Sequence, residues 1–237
     1  MRDRLVDFIL KNIDIEFSVI LEASCGEGQL TIPLIKKIMK YLDNFSIIAY
    51  DLSAGSYSES LQFLEKKIKK EGFQDIINIV QGDVRNMVTI EDETIDFIFS
   101  NDLFCDLDRI GLEKTLTEFY RILKPNGQMA HAEYAPVPEN PAQKLFIEAD
   151  TYSLETSEPK PDWFSPTSDE IAVLMHKIGF KDITIKYLET VIHMSFKEAV
   201  KAFEEWTVDP KFIEKHKEDL RRYGTETPIE HVIFCSK

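Results

Sequence analysis

Residues 19–29 (VILEASCGEGQ) place a carboxylate, Glu22, near the end of an apolar run and two glycines, Gly26 and Gly28, shortly after it. Because glycine has no side chain, the backbone can approach a ligand there, and the helix that follows offers free N–H groups. A dinucleotide site would have a third glycine three residues after Gly28, where this chain has Thr31. The alternative is a mononucleoside that carries an amino acid, whose ammonium group Glu22 could neutralise.

Further polar residues stand at the ends of later apolar runs. In chain order these residues are Asp51, Asp83, Asn101, Asp102, Glu133 and Tyr134. In an open α/β sheet, ligands bind beyond the carboxyl ends of the strands. We therefore expect these side chains to lie around the same cleft as Glu22. Two of these residues also have a plainer interpretation, since Asp51 could cap a helix and Asp83 could stabilise a turn.

The apolar pattern between these positions switches repeatedly between a strand period and a helix period. Apolar runs at 17–23, 46–52, 77–83, 94–102, 128–134, 181–194 and 230–236 predict strands. Helical stripes separate the early runs, for example Leu112, Leu116 and Phe119, before the turn residues 124–127 (KPNG). Such alternation is typical of a doubly wound α/β fold, with a mostly parallel sheet covered by helices on both faces.

Two segments are surplus to this alternation, at about 135–166 and 195–224. Asn140 with Pro141 predicts the start of a helix in the first. Asp209 with Pro210 predicts another in the second, running through Leu220. Between the two segments, Thr167 has the spacing of a capping box. We interpret residues 1–237 as one domain with two insertions.

The order of these features resembles class I S-adenosylmethionine-dependent methyltransferases. Residues 22–28 (EASCGEG) resemble the first motif of that family, an acidic residue followed by G-x-G-x-G, with Ser24 in place of the usual first glycine. Asp51 and Asp83 occupy the positions of acidic residues that contact the ribose and the adenine amino group. Residues 96–104 (DFIFSNDLF) and 121–129 (RILKPNGQM) resemble two later motifs. The resemblance covers roughly residues 19–134.

The resemblance implies a Rossmann-like sheet of seven strands whose C-terminal strand is antiparallel. It implies S-adenosylmethionine as the cofactor and S-adenosylhomocysteine as its product. The cofactor-binding residues it implies are Glu22, Ser24, Cys25, Gly26, Gly28, Asp51, Leu52, Asp83, Val84 and Asn101.

The expected reaction is in-line methyl transfer to a small-molecule acceptor. The predicted catalytic residues are Asp102, Glu133 and Tyr134, with a general base needed where the acceptor loses a proton. The insertions predict a lid over the acceptor, with Tyr134, Tyr152 and Trp163 as substrate-binding residues. The alternative for the insertions is a thicker core or a homodimer interface. Alternative functions are methylation of a protein or a structured RNA, a non-catalytic module that binds the cofactor, and, opposed by Thr31, a nicotinamide enzyme.

Composition limits the partners further. The 237 residues carry a net charge of −14, which makes nucleic acid an unlikely partner because a phosphate backbone needs clustered Lys and Arg. The three cysteines form no CxxC pair and no histidine pattern has ligand spacing, so no metal site is expected. The first apolar run is too short and charged for a signal peptide or a membrane span. A cytoplasmic setting follows as the expectation.

Overall fold

The computed structural model describes residues 2–16, 18–54, 58–156, 165–189, 191–205 and 208–237. These residues form the strands β1 (Val19–Ala23), β2 (Ser46–Asp51), β3 (Ile77–Gln81), β4 (Ile95–Asn101), β5 (Leu123–Tyr134), β6 (Lys181–Leu188), β7 (His193–Met194), β8 (Thr225–Glu226) and β9 (Glu230–Ser236). Seven of them make one sheet in the order β3-β2-β1-β4-β5-β9-β6. Strands β3, β2, β1, β4 and β5 pair in parallel, whereas β9 is antiparallel to β5 and β6. The predicted Rossmann-like fold class is confirmed.

The helices are α1 (Arg2–Lys11), α2 (Thr31–Ile38), α3 (Ser60–Glu71), α4 (Arg109–Ile122), α5 (Pro141–Thr156), α6 (Ser168–Ile178), α7 (Phe196–Glu205), α8 (Pro210–Lys215) and α9 (Lys217–Tyr223). The side chains of successive strand residues point to opposite faces of the sheet, so each strand contributes side chains to two hydrophobic cores. In β1, Ile20 packs with α1, α2 and α3, whereas Leu21 packs on the other face with α4 and α6. Burial on both faces explains why these strands are almost continuously apolar.

Several predicted helix ends are present. Asn140 Oδ1 accepts a hydrogen bond from the Gln143 N–H at 2.9 Å at the start of α5. Thr167 and Glu170 form the capping box of α6, and Asp209 caps α8, in which Pro210 occupies the first turn. Each cap satisfies N–H groups that the first helical turn leaves without partners.

Other boundaries differ from the predictions. Residues 124–127 belong to β5 rather than to a turn before it, because β5 pairs with β4 from Leu123 onward and a shift of register between Ile95 and Phe97 accommodates them. Asn126 there has φ +65°, a conformation that asparagine tolerates. The sixth strand ends at Leu188, well before residue 194, and the helix expected to reach Leu220 is interrupted at His216.

The two insertions form one helical unit, which the sequence pattern did not predict. Its buried cluster draws on both segments and contains Leu145, Ala149, Ala199, Phe203, Val208, Phe212 and Leu220. Strands β7 and β8 pair beside it. Glu226 Oε1 in β8 accepts hydrogen bonds from Asn140 Nδ2 at 2.8 Å and Gln143 Nε2 at 3.1 Å. We call α5, α7, α8, α9, β7 and β8 the helical unit.

Candidate functional site

The loop between β1 and α2 bends through residues with positive φ. Gly26 and Gly28 have φ values of +51° and +77°, and Ser24 adopts +61°. A Cβ added to Gly26 would meet nothing within 4 Å, whereas one on Gly28 would lie 2.3 Å from Leu64 Cδ1 in α3. Gly26 therefore keeps open space at the loop surface, and Gly28 allows the loop to pack closely against α3.

Asp51 fastens this loop to the end of β2. Its Oδ2 accepts the Gly26 N–H at 2.9 Å, and its Oδ1 accepts the Ser53 N–H at 2.7 Å. The Tyr50 carbonyl accepts the Ser24 N–H at 2.8 Å from the same loop. The carboxylate at the predicted ribose position thus also holds two backbone segments in place.

Glu22 is a buried carboxyl group at the floor of the site. Its residue is 3 % exposed, and its Oε2 has no hydrogen-bond partner among the described residues. Burial raises the pKa of Glu22 to about 8, and the negative charge of Asp51 adds to this effect. The Thr31 hydroxyl stabilises the charged form in part, although it makes no hydrogen bond of ordinary geometry. A buried acid without a partner is typical of a position where a ligand supplies one.

Asp83 is held by the guanidinium of Arg85, two residues along. Arg85 Nη2 lies 2.6 Å from Asp83 Oδ2, and Arg85 Nε donates to Oδ1 at 2.9 Å. These hydrogen bonds lower the pKa of Asp83. The preceding Gly82 has no room for a side chain, because an added Cβ would lie 2.0 Å from the Tyr50 hydroxyl. The Asp83 carboxylate is therefore charged and fixed in orientation.

The end of β4 supplies the opposite side of the site. The Asn101 amide donates to the Ala132 carbonyl at 2.9 Å, and the Asp102 N–H donates to the same oxygen at 3.0 Å. Asp102 has φ +49°, which turns the chain sharply after the strand. A single 3-10 turn follows at Phe104–Asp106.

These elements enclose a cavity of about 450 Å³, within the usual size range of small-molecule sites. The predicted site residues that line this cavity are Glu22, Ser24, Cys25, Gly26, Asp51, Leu52, Asp83, Val84, Asn101 and Asp102. Gly28 is not among the lining residues. The lining residues that the sequence interpretation missed are Glu27, Gln29, Leu30, Ser53, Ala54, Gly82, Arg85, Leu103, Asp106 and Leu107. Most flank a predicted residue directly, which was the signal available.

The cavity is acidic. Among its described lining residues, six carry carboxyl groups, namely Glu22, Glu27, Asp51, Asp83, Asp102 and Asp106. Arg85 is the single basic residue of that lining, and Asp83 already neutralises it. Such a lining attracts a cation and repels an anion.

Glu133 does not line the cavity but lies in a buried chain of hydrogen bonds. Its Oε2 accepts the Phe104 N–H at 3.0 Å and lies 2.9 Å from His131 Nε2. His131 Nδ1 lies 2.8 Å from the Ser100 hydroxyl. The imidazole ring of His131 stacks on the Phe104 ring, with the ring centroids 3.6 Å apart. The neighbouring His231 is buried as well, and burial lowers its pKa to about 4.

The predicted substrate-binding residues are also away from the described lining of the cavity. The Tyr134 ring packs edge-on against Phe146 of α5, and the two ring centroids are 6.0 Å apart. The Tyr152 and Phe212 rings pack within the helical unit, with their centroids 5.3 Å apart. Trp163 lies outside the described residues. Their roles toward an acceptor stay predictions.

The described part of the chain also bears on metal binding and membrane insertion. No group of three or more His, Cys, Asp or Glu side chains there is arranged to hold a metal ion. None of the described helices combines the length and apolarity needed to cross a membrane.

Comparison with known proteins agrees with this geometry. Residues 20–127 match the family model described as "Methyltransferase domain". The chain is 30 % identical over 128 residues to the demethylmenaquinone methyltransferase of Lactobacillus johnsonii, covering 53 % of this chain and 47 % of that protein. It is 26 % identical over 202 residues to the ubiquinone/menaquinone biosynthesis C-methyltransferase of Rickettsia bellii, covering 76 % of each.

The chain spans less than half the length of the curated relatives that share about 30 % identity with it. Among solved structures, a SAM-dependent methyltransferase from Archaeoglobus fulgidus superposes with a TM-score of 0.61 at 16 % identity. That superposition covers 100 % of this chain and 95 % of the Archaeoglobus protein, so the whole fold is shared.

Proposed function

We propose that the chain is a class I S-adenosylmethionine-dependent methyltransferase and that it transfers the methyl group of S-adenosylmethionine to a small-molecule acceptor. The family-model match over residues 20–127 and the 26 % identity to the Rickettsia bellii protein support this proposal. The observation that carries the proposal is the buried Glu22 carboxyl, whose Oε2 has no partner among the described residues and which lines the cavity. An ammonium group of a ligand would supply the missing partner. S-adenosylmethionine carries such a group.

The residues present fit this cofactor. Glu22 would hold the ammonium group, Asp51 the ribose hydroxyls and Asp83 the adenine amino group. Gly26 leaves open space where the loop meets the cavity. The excess of carboxylates in the lining favours a cofactor that bears a sulfonium cation.

When bound, the cofactor would supply an electrophilic methyl carbon for an electron pair of the acceptor, and the electron pair of the broken carbon–sulfur bond would stay on sulfur. The residues of this chain hold and align the two reactants and keep water out. Asp102 is the one predicted catalytic residue in the described lining of the cavity. We assign it the proton of an acceptor that must lose one.

The acceptor is proposed to be a small molecule with a neutral or cationic reacting part. The names of two relatives mention quinones, demethylmenaquinone in one and ubiquinone/menaquinone biosynthesis in the other. Leu103 and Leu107 give the wall of the cavity apolar surface beside the carboxylates of Asp102 and Asp106. This combination suits an acceptor with an apolar body better than a phosphorylated one.

The helical unit is proposed to act as a lid over the acceptor. Its first segment, α5, follows β5 closely, and the contact of Tyr134 with Phe146 joins the end of β5 to it. Replacement of Tyr134 by alanine is expected to lower turnover and leave cofactor affinity unchanged. If the Tyr134 variant turned over at the wild-type rate, a lid anchored at this contact would be ruled out.

A cytoplasmic location remains our proposal, supported by three free cysteines. The homodimer alternative for the insertions also stays open to test by light scattering.

The test of the function begins with mass spectrometry of small molecules that co-purify with the protein, followed by calorimetry with S-adenosylmethionine and S-adenosylhomocysteine. We expect both to bind, and NAD to bind far more weakly. Metabolite pools incubated with methyl-labelled cofactor then identify the product. Binding of NAD with equal affinity would overturn the cofactor assignment, and binding without any labelled product in any pool would favour the non-catalytic module.

A further inference from the structure

The segment 103–107, which we call the wall segment, forms one side of the cavity through Leu103, Asp106 and Leu107. It contains a 3-10 turn, Phe104–Asp106, and a turn of three residues has little stability of its own. Something outside the segment must therefore determine its position.

The Phe104 N–H points away from the cavity and into the protein. It donates to Glu133 Oε2 at 3.0 Å, and the Phe104 ring is fully buried against His131. Phe104 and Glu133 are 29 residues apart in the chain. This hydrogen bond therefore ties the wall segment, which follows β4, to the end of β5.

Glu133 is itself held in one orientation. Its Oε2 accepts from the Phe104 N–H and lies 2.9 Å from His131 Nε2. With Nε2 as a donor, His131 Nδ1 accepts from the Ser100 hydroxyl at 2.8 Å. Ser100, His131 and Glu133 are all buried, with at most 3 % of any of these residues exposed, so water does not compete for these hydrogen bonds. The burial also keeps Ser100 from acting as a nucleophile on a ligand.

We propose that Glu133 is a positioning residue for methyl transfer, which fixes the wall segment through the Phe104 N–H, while Ser100 and His131 fix Glu133. The proposal rests on the methyltransferase function proposed above, because the wall segment serves the reaction only if the cavity holds the cofactor and the acceptor. In this proposal Glu133 does not touch the acceptor. It acts on the reaction through the Phe104 N–H, which positions the wall segment.

The test uses the full chain with Glu133→Ala, Glu133→Gln and Ser100→Ala. The readouts are amide hydrogen exchange over residues 101–107 and affinity for S-adenosylhomocysteine by calorimetry. Glutamine keeps an oxygen that can accept from Phe104, whereas alanine leaves a buried N–H without an acceptor. We expect Glu133→Ala to speed exchange at Phe104 by about tenfold and to weaken binding by about tenfold. Glu133→Gln should stay within about twofold of the wild type, and Ser100→Ala should fall between them.

Asp96→Ala is the matched control. Like Glu133, Asp96 is a carboxylate that accepts from backbone N–H groups, in its case two, from Ser18 at 3.0 Å and Val19 at 2.8 Å, but it lies at the other end of β4. This variant should lower the melting temperature without changing exchange in the wall segment or affinity.

Unchanged exchange and affinity in Glu133→Ala would overturn the proposal, and so would equal changes in Asp96→Ala. If Glu133→Ala does not fold, Ser100→Ala decides by the same two readouts. If the wild type does not bind S-adenosylhomocysteine, the proposed function fails, and hydrogen exchange still decides whether Glu133 fixes the wall segment.

Discussion

The buried Glu22 carboxyl predicts an unusual dependence of stability on pH. Its pKa is about 8 in the folded, ligand-free protein, against an ordinary value of 4.5. Between these two pH values the folded state keeps a proton that the unfolded chain has released. The contribution of Glu22 to the free energy of unfolding is therefore fully present below pH 4.5 and is lost as the pH rises to 8. The difference corresponds to at most about 5 kcal/mol, because Glu22 is almost fully buried and solvent screens it little.

The assay is denaturant unfolding of the wild type and Glu22→Gln at several values between pH 4.5 and 9. Glutamine is neutral throughout, so the variant lacks this contribution. We expect the stability of the wild type relative to Glu22→Gln to decline by several kcal/mol as the pH rises. Glu27→Gln is the matched control, since Glu27 lines the same cavity with a side chain that is 47 % exposed. Its difference from the wild type should stay nearly constant with pH.

Cofactor binding provides a second readout of the same group. An ammonium group beside Glu22 favours the charged carboxylate and expels its proton. At pH 7 about nine-tenths of a group with a pKa of about 8 is protonated. Calorimetry in buffers of different ionisation enthalpy should therefore detect release of nearly one proton per S-adenosylmethionine bound. A constant stability difference from pH 4.5 to 9, together with no proton release, would refute the reasoning.

Three further predictions concern the loop and the chemistry. Asp51→Ala removes the acceptor of the Gly26 and Ser53 N–H groups, so S-adenosylmethionine affinity measured by calorimetry should fall by about 1.5–3 kcal/mol; an unchanged affinity would contradict this role. Gly28→Ala should lower stability by more than the roughly 1–2 kcal/mol expected for positive φ alone, because its Cβ meets Leu64. Gly26→Ala, whose Cβ meets nothing within 4 Å, should lower stability only by the roughly 1–2 kcal/mol of its positive φ and should also weaken cofactor binding; thermal unfolding and calorimetry separate the two effects. Methyl transfer should survive EDTA, whereas loss restored by one added metal would reveal a metal site.

Local patterns were sufficient for the sheet and for half of the described lining residues of the cavity. Apolar periodicity identifies strands and helices because it follows from which faces are buried, and this is a property of neighbouring residues. Parallel strands bring their carboxyl ends to one edge, so Glu22, Asp51, Asp83 and Asn101 could be placed around one cleft before their distances were known.

The reason for a residue type was less accessible than its position. Gly28 was expected to make room for a ligand, but it makes room for Leu64, which lies 36 residues further along the chain. A glycine in a loop records that space is needed, and only the packed structure identifies what occupies that space.

Tertiary structure alone decided the roles that depend on pairing across the chain. Glu133 lies at the end of β5 and Asp102 directly follows β4, yet the Glu133 carboxyl turns inward to His131 and Phe104 while Asp102 lines the cavity. The two insertions, separated by α6 and β6, share one buried cluster that neither segment could form alone. The physical reason is the same in both cases. Burial and hydrogen-bond partners are supplied by residues distant in sequence, and their approach depends on the register of the assembled sheet.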